Sequence, residues 1–116
     1  MLSGLFVACA VAASSGAAAA GDCGVTEGFY IDAGCTIAVD PPPYNLTTNP
    51  LVVPEGTCVQ SLTTGAGTEC VSCTPGQTAV ISLFMQGCGV SAGTKATAPE
   101  GKCLSNGKYY ELITCA

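Results

Sequence analysis

The chain has 116 residues, enough for one ordinary domain at most, with nine cysteines, fifteen glycines, seven prolines, no tryptophan and no histidine. A formal net charge of −5, with no basic cluster to offset it, opposes partnership with nucleic acid or an anionic membrane surface. The missing histidine removes Ser-His-Asp and Cys-His catalysis and the commonest general base.

The first segment, residues 5–13, is a nine-residue apolar run. It is too short for a bilayer span, which takes roughly 20 residues. Ser14-Ser15-Gly16 and the alanines 17–20 follow, and small residues at Ala18 and Ala20 suit signal peptidase. Residues 1–20 therefore read as a signal peptide and residues 21–116 as a secreted cysteine-rich domain. A basic n-region is missing, since the first lysine is Lys95 and there is no arginine. Cleavage removes Cys9 and leaves an even set of eight: Cys23, Cys35, Cys58, Cys70, Cys73, Cys88, Cys103 and Cys115.

These eight are regularly spaced. Eleven residues separate Cys23 from Cys35, Cys58 from Cys70, and Cys103 from Cys115. Fourteen separate Cys73 from Cys88 and again Cys88 from Cys103. An even, regular set in a short secreted chain reads as a disulfide framework. Local pairing would give Cys23–Cys35, Cys58–Cys70, Cys73–Cys88 and Cys103–Cys115; interleaved pairing within each half is the rival. Two echoes, Cys23-Gly-Val-Thr-Glu-Gly28 with Cys88-Gly-Val-Ser-Ala-Gly93 and Pro54-Glu-Gly-Thr-Cys58 with Pro99-Glu-Gly-Lys-Cys103, suggest two unequal cysteine modules, roughly 21–70 and 71–116.

The predicted fold class is a small disulfide-rich protein, loop-dominated, with short β-hairpins. Residues 28–31 favour a short strand, and residues 80–85 a strand apolar enough to need covering. Residues 40–54, with Pro41-Pro42-Pro43 and Pro50, form a long stiff loop. It carries the sequon Asn45-Leu46-Thr47, so Asn45 is a candidate glycosylation site. Asn106-Gly107 predicts a two-residue type I′ turn, with Tyr109 and Tyr110 on the return strand and packing with Phe84.

Sharper chemistry is poorly supported. Cys70-Val-Ser-Cys73 has the spacing of a redox dithiol, but Thr74-Pro75-Gly76 prevents the helix such a motif needs. A zinc site would draw on Cys58, Cys88 or Cys103 in competition with oxidation. Glu27 with Asp32 would be a carboxyl pair of glycosidase type, and Asp22, Glu27 and Asp32 a calcium set without a fixing motif. No cofactor and no catalytic residue is predicted.

Gly67-Thr-Glu-Cys70-Val-Ser-Cys73-Thr-Pro-Gly76, followed by Gly101-Lys-Cys103-Leu-Ser-Asn-Gly-Lys-Tyr-Tyr110, resembles the cysteine-rich surface proteins of protozoa. Those are the variant-specific surface proteins of diplomonads and the ciliate immobilisation antigens. The resemblance covers about the last half of the chain; this sequence has one C-x-x-C pair where those proteins have many, and it lacks their membrane anchor. It implies a structural or antigenic extracellular module with a protein or cell-surface partner. The alternative is a diffusible ligand, effector, pheromone or protease inhibitor acting through residues 40–54, which present Tyr44, or residues 63–68.

Overall fold

A computed structural model describes residues 23–90 and 93–116. The expected signal peptide, Cys9 and Asp22 lie outside the described residues. Eight strands follow in order: β1 (Val25–Tyr30), β2 (Leu51–Val53), β3 (Cys58–Gln60), β4 (Gly67–Cys73), β5 (Thr78–Phe84), β6 (Thr94–Pro99), β7 (Leu104–Ser105) and β8 (Tyr110–Cys115). They form two antiparallel sheets, ordered β2-β1-β8-β7 and β3-β4-β5-β6. The predicted class, a small disulfide-rich protein built from short hairpins, is the class observed.

Period-2 alternation assigns the faces. Val25, Leu51, Val53 and Ile113 of the first sheet meet Cys70, Ala79 and Ile81 of the second in one buried cluster. Few of these side chains are large, so the apolar layer is thin for a chain of this size. The strand predicted at 80–85 is β5, an interior strand with β4 on one side and β6 on the other, which is the cover it needs.

Four disulfides join all eight predicted cysteines, but neither pairing expected from the sequence occurs. The bridges are Cys23–Cys70, Cys35–Cys103, Cys58–Cys88 and Cys73–Cys115. Sequence proximity misleads here because nearness along a hairpin does not make two cysteines face each other: Cys58 lies opposite Glu69, and Cys70, the next residue, faces the other side of the sheet and bridges to Cys23. Cys23–Cys70 and Cys73–Cys115 tie one sheet to the other; Cys35–Cys103 and Cys58–Cys88 each fasten one sheet's own loops and strands.

The two halves are a repeat, intertwined in space. Exchanging β1–β4 with β5–β8 turns one sheet order into the other read backwards. The same exchange turns Cys23–Cys70 into Cys73–Cys115 and Cys35–Cys103 into Cys88–Cys58. Each sheet thus combines the first hairpin of one half with the second hairpin of the other. The Pro-Glu-Gly-x-Cys echo follows this symmetry: Pro54 to Cys58 joins β2 to β3, and Pro99 to Cys103 joins β6 to β7. Gly56 and Gly101 take matching left-handed conformations (φ 75° and 79°), which only glycine adopts without strain. The Cys-Gly-Val echo does not follow it, because Cys23 precedes β1 whereas Cys88 follows β5.

A register shift between Cys70 and Ser72 places a β-bulge in β4. In an unbroken strand, residues three apart face opposite ways. The inserted residue lets Cys70, opposite Ile81, and Cys73, opposite Ala79, both face the core and bridge to the other sheet.

Asn106-Gly107 does form a turn, but a longer one than predicted. Ser105 pairs with Tyr110, leaving a four-residue loop. Only Gly107 has a positive φ (97°), whereas a type I′ turn needs two such residues. The Asn106 side chain takes over, its Oδ1 accepting from Lys108 N–H (3.0 Å) and Tyr109 N–H (2.7 Å). Tyr109 packs edge-on against Tyr44, which packs edge-on against Phe29. Phe84 sits at the end of β5 in the other sheet, so the expected Tyr109–Tyr110–Phe84 cluster is not formed.

Candidate functional site

The inward positions of the first sheet include two carboxyls. Glu27 on β1 lies opposite Ile113, and Glu111 on β8 lies opposite Phe29, so the two acids occupy one face on a cross-strand diagonal. Their side chains are hydrogen-bonded to each other. Burial first, and then the hydrogen bond and charge of Glu111, push the Glu27 pKa up to about 8. Glu27 therefore keeps its proton at neutral pH.

Above the pair the sandwich is open. A cavity of about 70 Å³ lined by Glu27, Glu111, Ala79, Ile81 and Ala96 adjoins a cleft of about 210 Å³. The cleft runs between β6 and the β7–β8 hairpin, with Leu104 and Lys102 on its wall. Glu111 and Ile113 line both spaces. The repeat shows what this edge lacks. Cys115 and Glu111 correspond, 45 residues earlier, to Cys70 and Ala66; Glu27, opposite Ile113, corresponds to Leu83, opposite Thr68. The equivalent positions are thus apolar in the other copy. The acid pair stands where the other copy has leucine and alanine.

The sequence paired Glu27 with Asp32, and the structure separates them. Asp32 caps the turn after β1: its carboxylate accepts from the Thr36 hydroxyl (2.6 Å), Ile37 N–H (2.8 Å) and Thr36 N–H (3.0 Å). The Thr36 hydroxyl, followed by the Ile37 N–H, holds its pKa below the usual carboxylate value. Glu111 was missed. The available signal was its position in an alternating strand, where Glu111 and Ile113 must share a face, but the facing strand cannot be read from one sequence.

The remaining candidates are also placed. Cys70 and Cys73 bridge to Cys23 and Cys115 rather than to each other, so the redox dithiol is not formed. Cys58, Cys88 and Cys103, the possible zinc ligands, are all in disulfides. Among the described residues, no three His, Cys, Asp or Glu side chains are grouped as a metal site. Asn45 is exposed, with Tyr44 and Asn45 both in left-handed conformations (φ 57° and 61°). The loop around it is anchored by Asn49, whose Nδ2 donates to Phe29 O and Val39 O (both 2.9 Å) and whose Oδ1 accepts from Phe29 N–H (2.9 Å).

Comparison with known proteins gives no matching family model, no matching curated protein and no matching solved structure.

Proposed function

We propose that the protein works outside the cell as a non-enzymatic, disulfide-stapled module with a structural or antigenic role at a surface. The observation that carries this reading is the bridging of every described cysteine, with two bridges crossing between halves of the chain. Such a framework persists in an oxidising compartment and resists proteolysis by suppressing local opening. Among the described residues there is no helix long and apolar enough to cross a membrane, which fits a released or peripherally held module. The exposed Asn45 supports glycosylation of the loop at 40–54.

The cleft does not favour catalysis. Its volume of about 210 Å³ lies below the roughly 300–1,000 Å³ of pockets that enclose a typical ligand.

The alternative, a diffusible ligand acting through residues 40–54, draws support from Tyr44. It is half exposed yet held between Phe29 and Tyr109, with its hydroxyl accepting from Asn106 Nδ2 (3.2 Å). A side chain fixed in this way loses little freedom on binding.

Intact mass of the product from its native source, with and without reductant, tests the main reading. The expected species lacks residues 1–20, gains two hydrogens per bridge on reduction, and carries an Asn45 glycan that Asn45→Gln abolishes. Labelling of intact cells should then find it at the surface. Retention of the first 20 residues with free thiols, or a wholly internal pool, overturns the proposal. Recovery of a soluble receptor or protease, lost on Tyr44→Ala, would favour the ligand reading.

A further inference from the structure

Two like-charged groups on one cross-strand diagonal, enclosed by apolar side chains, cannot both ionise in place. Around Glu27 and Glu111 the lining is apolar or neutral except at the cleft: β2 brings Leu51 opposite Glu27, β5 brings Ala79 and Ile81, and β6 brings alanine and threonine. Leu104 of β7 lies opposite Glu111. The one other charged group among the described lining residues is Lys102, at the cleft wall.

We propose that the Glu27–Glu111 pair is a proton-operated latch that holds the edge of the sandwich between β6 and β7 in its present form and releases it when Glu27 loses its proton. The mobile partner is Glu111. Glu27 lines the inner cavity from a strand paired on both sides, whereas Glu111 also lines the outer cleft beside the two-residue edge strand β7. On deprotonation the proton passes through the cleft to bulk water. Glu111 then turns outward towards Lys102, and the segment from β6 to the β7–β8 turn adjusts around it. The apolar counterparts Leu83 and Ala66 give the opposite edge no such response. The latch concerns a property of the folded molecule and stands or falls apart from its location in the cell.

The test is an NMR titration of the intact, oxidised protein from about pH 4 to about pH 10, following glutamate carboxyl carbons and backbone amides. One carboxyl should titrate near pH 8, and amides of residues 97–106 should shift with the same midpoint. In Glu111→Gln, Glu27 should titrate at lower pH and the amide shifts should disappear. In Lys102→Met, the high carboxyl step should remain and the amide shifts around residue 102 should shrink. The proposal is overturned if every carboxyl titrates in the ordinary range. It is equally overturned if the high step leaves residues 97–106 unmoved, or if Glu111→Gln retains the amide response.

Discussion

Asn49 shows how much a single polar side chain can organise in a chain with little apolar bulk. Its three hydrogen bonds join the end of β1 to the loop that carries the sequon. Removing it leaves Phe29 N–H and Val39 O partly buried and without their partner, while Phe29 O still accepts from Val39 N–H. At about 1 kcal/mol for each bond, Asn49→Ala should cost about 2–3 kcal/mol, read as a lower urea midpoint. The same substitution should increase hydrogen exchange at Phe29, while exchange in β4 and β5 stays unchanged. Composition marks asparagine as a loop residue, and only the folded chain reveals which backbone groups it serves.

Among the elements, β4 is the one whose detail decides connectivity. Its bulge turns Cys70 and Cys73 to the same face, and both inter-sheet bridges depend on that. Deleting Val71 removes the inserted residue and leaves Cys70 and Cys73 two positions apart, on one face of a regular strand. The expected product keeps all four bridges, shown by alkylation and mass spectrometry that find no free thiol among them. Labelling of Cys73 and Cys115 in the deletion variant would contradict this account of the bulge. The β7–β8 hairpin carries a related lesson. Asn106-Gly107 is legible as a turn, but its length is set by Asn106 capping two amides and by Tyr109 reaching Tyr44, a contact 65 residues away in sequence.

At the scale of the molecule, crosslinks compensate for the thin core. The bridges close segments of 30 to 68 residues, longer than local pairing would close. By the chain-entropy argument each restricts the unfolded ensemble by about 4 kcal/mol. Cys35→Ser with Cys103→Ser should therefore lower stability by about 2–5 kcal/mol, measured by urea unfolding, and complete reduction should unfold the protein. Retention of the fold in strong reductant would contradict this.

Stability should also depend on pH in two opposing windows. Asp32 and Glu100 have lowered pKa values, the latter because its carboxylate accepts from Gly76 N–H and Cys115 N–H. Their contribution is present above the ordinary carboxylate range and is lost as pH falls through their folded values. Glu27 has the opposite sign: folding raises its pKa from 4.5 to about 8. Its contribution is complete below pH 4.5 and declines as pH rises to about 8, because over that interval the native state binds more protons than the unfolded chain. Stability should accordingly peak in mildly acidic solution and fall towards pH 8, measured as urea midpoints across that range. Glu27→Gln should flatten the alkaline limb.

The sequence by itself determined the chemical class of the fold. An even, regular cysteine set, abundant glycine and proline, and short β-favouring runs leave disulfides and hairpins as the means of holding one shape. It also marked the half-to-half repeat through Pro54-Glu-Gly-Thr-Cys58 and Pro99-Glu-Gly-Lys-Cys103. Tertiary structure alone decided which cysteines meet and which acids share one face of a sheet. Local spacing records neighbours along the chain, whereas here each hairpin of one half pairs with a hairpin of the other, and that exchange brings Cys35 to Cys103 and Glu27 to Glu111.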